Sequence, residues 1–238
     1  MHLVTVRAHL LCLSLLASGA LAQSPAPDDP GVTADEIRAA IRELPNGRVE
    51  RPESLESLTQ EQIRYLEGVL TGPRNAISGP LVVMLASPTL GDLAQRAMAY
   101  ARYSGTEGFA SVPVKLNELA VIMAARAWSS PYVWNAHHRY AVSVGLPAEL
   151  VEAIRTGAPP PENLEPDVAA VYAFLDEFLT TKQVTDATFE AARTALGGDR
   201  QLVDLVGTLG IYQLSAMLTA IDRTGLTEGA EPILQPLE

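Results

Sequence analysis

Apolar residues recur along this chain at three- and four-residue spacing, as in Leu116, Leu119, Ala120 and Met123, and again in Leu202, Leu205, Val206 and Leu209. The apolar-polar alternation of strands is hard to find, so the period points to helices, each with a stripe to bury. Thr33 with Glu36 three residues later predicts a capped helix to about Leu44. Asn46-Gly47 punctuates, and a polar loop runs to Leu58. Thr59 caps a second helix to about Leu70, closed by Thr71-Gly72-Pro73-Arg74. A short apolar segment, Leu81 to Ala86, lies between Gly79-Pro80 and Ser87-Pro88. Pro88 opens a helix to about Tyr103, and a Gly- and Ser-containing loop runs from Ser104 to Pro113. Val114 to Trp128 is a strongly apolar helix, broken in its pattern by Glu118 and Arg126. Ser130-Pro131 is a cap followed by a first-turn proline, predicting a helix to about Val144 that stops at Gly145. Pro147 to Thr156, Pro166 to Thr180, Asp186 to Leu196 and Asp199 to Arg223 complete the set. The chain is predicted to be all-α, with eight or nine helices and no strong internal repeat.

The first residues follow a different logic. Met1 to Arg7 carries a positive charge and no acid, and the apolar run from Leu10 to Ala17 is too short to span a bilayer. Ala20-Leu21-Ala22 supplies a small-x-small cleavage pattern, so residues 1–22 are expected to be a signal peptide with Gln23 as the new N-terminus. The protein is therefore expected to be exported, to a bacterial periplasm or the medium. Residues 23–58 form a Pro-, Ala- and Asp-rich tether and one helix, residues 59–226 the main helical domain, and residues 227–238 a tail expected to be poorly ordered.

Cleavage changes the chemistry available. Residues 1–22 hold the only cysteine, Cys12, two of the four histidines, and one arginine without any acid, so the net charge moves from −11 to −12. The mature chain has neither a disulfide nor a redox-active thiol. Its negative charge argues against nucleic acid or, after signal cleavage, a membrane surface as partner. An anionic substrate would need local arginines to overcome that field. The two remaining histidines, His137 and His138, are neighbours, and proton chemistry near neutral pH has few other places to occur.

Glu118 and Arg126 lie eight residues apart on one predicted helix. The next helix begins at Ser130 after a tight turn, so the two are expected to pack as a hairpin. Trp134, His137, His138 and Ala141 follow at spacings that keep them on one side of that second helix. Packing brings Glu118 near His137, and a carboxylate beside an imidazole orients it for general acid or base work. Two plainer roles compete: Glu118 paired with Arg126 to satisfy burial, and Trp134 as simple core. Arg74, in a Gly-Pro-Arg turn, either binds an anion or caps a carbonyl. His138 is the more exposed of the two histidines. Two adjacent histidines on a helix point apart and lack a ligand cluster, so neither metal nor organic cofactor is expected.

The spacing Glu118, eleven residues, Ser130, two residues, Val133, three residues, His137 resembles the alkylhydroperoxidase D-like motif. Peroxidase members carry cysteines at the positions of Ser130 and Val133. The segment Ser130 to His137, with Tyr132, Trp134 and His137 in a Tyr-x-Trp-x-x-His pattern before Gly145-Leu146, resembles the carboxymuconolactone decarboxylase branch instead. The likeness extends through Gly72-Pro73-Arg74, Gly79-Pro80, Ser87-Pro88 and Arg102-Tyr103-Ser104, and through Asp199 to Leu205 and Gly210-Ile211-Tyr212. Val133 departs from the acidic residue often found between the Tyr and the Trp. The resemblance implies an alkylhydroperoxidase D-like helical bundle with the site on a central hairpin, and a homo-oligomer, trimer or hexamer. It also implies cofactor-free decarboxylation, or a related lyase reaction, of a small carboxylated lactone or similar organic acid. His137 would then give or shuttle the proton with Glu118 orienting it. Arg74, Arg102 and Arg126 are the candidates to hold substrate carboxylates, and Ser130, Tyr132 and Trp134, with Tyr103, to line the site. A thiol peroxidase would need a thiolate and a resolving thiol that serine and valine do not supply. A non-catalytic, exported small-molecule-binding protein on the same scaffold is the remaining alternative. The two are told apart by whether Glu118 and His137 face an arginine-lined pocket or lie dry in apolar packing.

Overall fold

The computed structural model describes residues 31–226 and Leu234. The expected signal peptide, the start of the tether and nearly all of the tail lie outside the described residues. Within them every regular element is helical. The α-helices are α1 (Ala34–Arg42), α2 (Gln60–Thr71), α3 (Pro80–Val83), α4 (Pro88–Arg102), α5 (Val114–Ala127), α6 (Pro131–Ser143), α7 (Ala148–Thr156), α8 (Pro166–Thr181), α9 (Asp186–Leu196) and α10 (Asp199–Asp222). Caps set several boundaries. Thr33–Glu36 and Thr59–Gln62 are reciprocal capping boxes, and the Ser130 hydroxyl accepts from the N–H of Val133 ahead of Pro131. The apolar segment Leu81 to Ala86 folds as α3 followed by a single 3₁₀ turn, Met84–Ala86, because Pro80 and Pro88 bound it on both sides.

α5 is the axis of the molecule. Every residue from Leu116 to Ala125 is buried, as expected of a helix that is apolar all round. It packs against α10, α6, α8 and α7. α10 is long and apolar enough to cross a membrane by composition, but it is a core helix here, lying against α5, α4, α3, α9 and α6. One core gathers around α5, α6, α8 and α10, with Trp134, Leu150, Leu175 and Leu205 among its fully buried side chains. A second holds Ile37 and Ile41 of α1 with Tyr65, Leu66, Leu81, Leu85 and Met98, and leans on Leu214 and Leu218 of α10. Residues from 31 onward form one compact unit, so α1 packs as part of the body.

Two buried polar clusters fix how these helices sit. Asn117 donates to the carbonyl of Ala101 at 3.0 Å and accepts from the Thr208 hydroxyl at 2.8 Å, tying α5 to α4 and α10. Asp222, fully buried at the end of α10, accepts from Arg51 at 2.6 Å, from the N–H of Val49 at 3.0 Å and from Thr224 at 2.7 Å. Gly47 passes over this pair so closely that a Cβ there would lie 2.4 Å from the Asp222 carboxylate. The turn at Asn46-Gly47 therefore needs its glycine for room.

Candidate functional site

The turn Trp128–Ser130 folds α6 back along α5 and brings Glu118 against His137. Glu118 Oε2 lies 2.8 Å from His137 Nδ1, with both side chains almost completely buried. A carboxylate only accepts, so Nδ1 carries the proton. The other ring nitrogen, Nε2, faces Arg102 Nη1 at 3.4 Å. A guanidinium only donates, so Nε2 presents its lone pair. His137 is thereby held as the Nδ1–H tautomer, oriented from behind by Glu118. Glu118 pairs with His137 and not with Arg126.

His137 opens onto a half-open cavity of about 250 Å³, lined by Arg74, Ser78, Arg102, Tyr103, Tyr132, Val133 and Tyr212 among others. That is room for roughly eight waters at about 30 Å³ each, and so for a small organic molecule. Arg74 comes from the turn after α2, Arg102 from the last residue of α4, Tyr132 from the first turn of α6 and Tyr212 from the middle of α10. Among the described residues neither guanidinium is ion-paired. Arg74 Nη2 donates to the carbonyl of Met98 at 3.3 Å and its Nε is buried without a partner, while Arg102 faces His137 and the Tyr212 phenol. Burial lowers the pKa of Arg74, with Arg102 adding repulsion. Burial also pulls on Arg102, but the Tyr212 phenol and Glu118 outweigh it and the net shift is upward. Both remain cations. A chain of net charge −11 thus concentrates two positive groups without a carboxylate partner in one small cavity.

The phenols complete the wall. Burial raises the pKa of Tyr132, opposed by Ser78 and by both arginines. Tyr132 packs directly against Gly79, whose φ is +53° and where a Cβ would sit 2.4 Å from the phenol oxygen. Only glycine meets both demands. Tyr103 donates to the carbonyl of Pro73 at 2.8 Å, bracing the Arg74 turn. Tyr212 meets the His137 ring edge-on, with centroids 4.9 Å apart at 82°. Its hydroxyl is buried without a well-formed hydrogen bond, and burial, then Glu118, pushes its pKa up against the pull of Arg102 and Arg74.

The expected residues thus divide. His137, Arg74, Arg102, Tyr103 and Tyr132 converge on the cavity, with Glu118 directly behind His137. Arg126 does not join them. It lies two turns further along α5, bound to the carbonyl of Arg155 at 2.8 Å and to Ser129 at 2.6 Å. Ser130 is occupied as the α6 cap, and Trp134 is fully buried core. His138 binds the carbonyl of Trp134 at 3.0 Å and stacks on that indole, away from the cavity. Ser78 and Tyr212 are cavity residues that sequence reasoning missed. Tyr212 continues the core stripe Leu202, Leu205, Leu209, and a lone hydroxyl in that stripe was the available signal. Among the described residues no three His, Cys, Asp or Glu side chains gather as metal ligands. The donors present suit an anion.

No protein-family model matches the chain, and no curated protein matches it in sequence. Among solved structures it is similar to one described as an alkylhydroperoxidase AhpD core, an uncharacterized peroxidase-related protein from Ralstonia eutropha. The two share 16% identity over 77% of this chain and 94% of that one, with a TM-score of 0.58. The fold is therefore alkylhydroperoxidase D-like and all-α.

Proposed function

We propose that this protein performs cofactor-free acid–base chemistry on a small carboxylated organic acid, a decarboxylation or related lyase step of the carboxymuconolactone decarboxylase kind. The observation that carries this is the buried Glu118–His137 pair opening, through the His137 Nε2 lone pair, into a cavity with two arginines that form no salt bridge among the described residues. Arg74 and Arg102 hold substrate carboxylate by charge-assisted hydrogen bonds. Tyr132 and Tyr103 wall the reacting end and restrict water. His137 Nε2 takes a proton from water entering the half-open cavity and delivers it to the carbon that has lost CO₂, while Glu118 stabilises the imidazolium formed on the way. The solved neighbour is described as peroxidase-related, but thiol-based peroxide reduction has no thiol here: Ser130 and Val133 occupy the two cysteine positions.

The test is turnover of small carboxylated lactones and unsaturated acids by purified protein, followed as CO₂ release. His137→Ala lowers the rate by roughly two to four orders of magnitude, the usual size of a general acid–base contribution. An active His137→Ala protein refutes the reading. Tight carboxylate binding with no turnover in the wild type would favour the non-catalytic alternative.

We also propose that copies of the chain associate. α10 carries no charged side chain from Leu205 to Ile221, yet exposes Met217 and Ile221 there, and its neighbour α4 exposes Leu90 and Leu93. Such an apolar patch, with the Arg96–Asp92 ion pair beside Leu93, is where a strongly acidic chain meets a second copy of itself with least repulsion.

A further inference from the structure

We infer that Tyr212 touches the substrate: with Arg102 it forms an oxyanion site, whose ligand is an enolate- or phenolate-class oxygen. This deepens the acid–base reading and rests on it for the reaction, though not for the binding. Tyr212 is set in the core face of α10, where a phenylalanine would fill the same space and meet the His137 ring in the same way. The hydroxyl is the unexplained part. It is buried and lines the cavity; its oxygen sits within reach of the Arg102 guanidinium, which can donate to it, but its O–H finds no acceptor in the protein, an unmet donor that folding alone does not require. Burial and the nearby Glu118 carboxylate keep the phenol protonated. Its O–H is therefore a donor without an acceptor, beside an Arg102 guanidinium that also only donates.

Two donors lining one cavity define the place for an acceptor of negative charge. His137 Nε2 shares the same Arg102, so the moving proton and the oxyanion lie on either side of one cation. In the reaction, the bond from the reacting carbon to its carboxylate breaks, the electron pair passes through the conjugated system onto a carbonyl oxygen, and CO₂ leaves. Tyr212 and Arg102 donate hydrogen bonds to that oxygen without forming a covalent bond or giving up a proton. The charge collapses back when the carbon takes the proton held on His137 Nε2.

The experiment uses 4-nitrophenolate, small enough for the cavity and coloured only as the anion, titrated into the intact protein. Wild type binds it, and Tyr212→Phe weakens binding about tenfold to a hundredfold, the range for losing one hydrogen bond to a charged group. The melting temperature of Tyr212→Phe stays close to that of wild type, because the lost O–H had no acceptor in the fold and the contact from Arg102 to its oxygen is weak. Absence of phenolate binding to wild type, affinity within twofold in Tyr212→Phe, or a clear fall in its melting temperature would each overturn the assignment. The titration reads binding alone, so a failure of the His137 reaction leaves the oxyanion site standing or falling on its own result.

Discussion

Replacing Glu118 by glutamine changes one atom of the carboxylate and nothing in shape, which makes Glu118→Gln a sharp probe of the pair. Glu118 is buried and has His137 as its partner at 2.8 Å. If the amide oxygen takes the Nδ1 proton, the new NH₂ is left buried without an acceptor, at a cost of about 1–3 kcal/mol. If the amide turns, its NH₂ drives the imidazole to the other tautomer and sets Nε2–H against Arg102. Either way the charge opposite the imidazolium is lost. Two charges roughly 4 Å apart at an effective dielectric of about 20 interact by about 4 kcal/mol, which corresponds to about a thousandfold in rate. The turnover number is expected to fall by about that factor, while KM changes little because Glu118 stands behind His137 and not on the cavity wall.

Nitrogen-15 NMR of the imidazoles checks the premise independently of any substrate. Beyond residue 22 the chain has only His137 and His138, and a His138→Gln variant assigns them. Wild-type His137 should show a protonated Nδ1 and a bare Nε2, and Glu118→Gln a population with the proton moved. A wild-type Nε2–H, or a Glu118→Gln protein within tenfold of wild-type turnover, would refute the argument.

The Asp222 clasp should govern acid stability. Burial raises the Asp222 pKa, but the bonds from Arg51, Thr224 and Val49 outweigh it and the net shift is downward; burial of Asp204 is likewise outweighed, by Ser111 and Tyr100. The stabilisation is then complete above the ordinary aspartate value of about 3.9 and disappears as pH falls through the lowered native values, so the melting temperature should hold to about pH 4 and drop below it. Asp222→Ala leaves Arg51 without its carboxylate and should cost about 3 kcal/mol, or roughly 6–12 °C by calorimetry for a domain of this size. Met217→Glu with Ile221→Glu on the α10 face should reduce the solution mass by light scattering without lowering helicity; an unchanged mass would refute association through that face.

Much of this architecture was legible in the chain because helices announce their own ends. Thr33 and Glu36, Thr59, and Ser130-Pro131 all cap where the sequence says they should, since those signals are local. The Glu118–His137 pair was legible for the same reason, being one tight turn from contact. The choice of His137 over His138 follows from its spacing to Glu118, because adjacent side chains on a helix diverge and only one of the two can face that carboxylate. The arginines were not separable by such reasoning. Arg74, Arg102 and Arg126 are alike in sequence, and only the packing of α4 against α10 decides that Arg102 reaches the cavity. Tyr212 was hidden by a correct rule, because it obeys the apolar period of α10 and departs from it only by a hydroxyl.

What joins the distant parts of the site is a feature of the core. Asn117 links the carbonyl of Ala101 on α4 to the hydroxyl of Thr208 on α10. Each member of this chain sits beside a site residue: Arg102 follows Ala101, Glu118 follows Asn117, and Tyr212 lies one turn beyond Thr208. A slip of one residue between any two of these helices would rotate a side chain by about 100° and would also strand a buried amide, carbonyl or hydroxyl. The desolvation penalty for that mismatch acts against every wrong register. The same two bonds that satisfy buried polar atoms therefore aim the cation, the orienting carboxylate and the phenol at one point, and the precision of the site is drawn from the stability of the core.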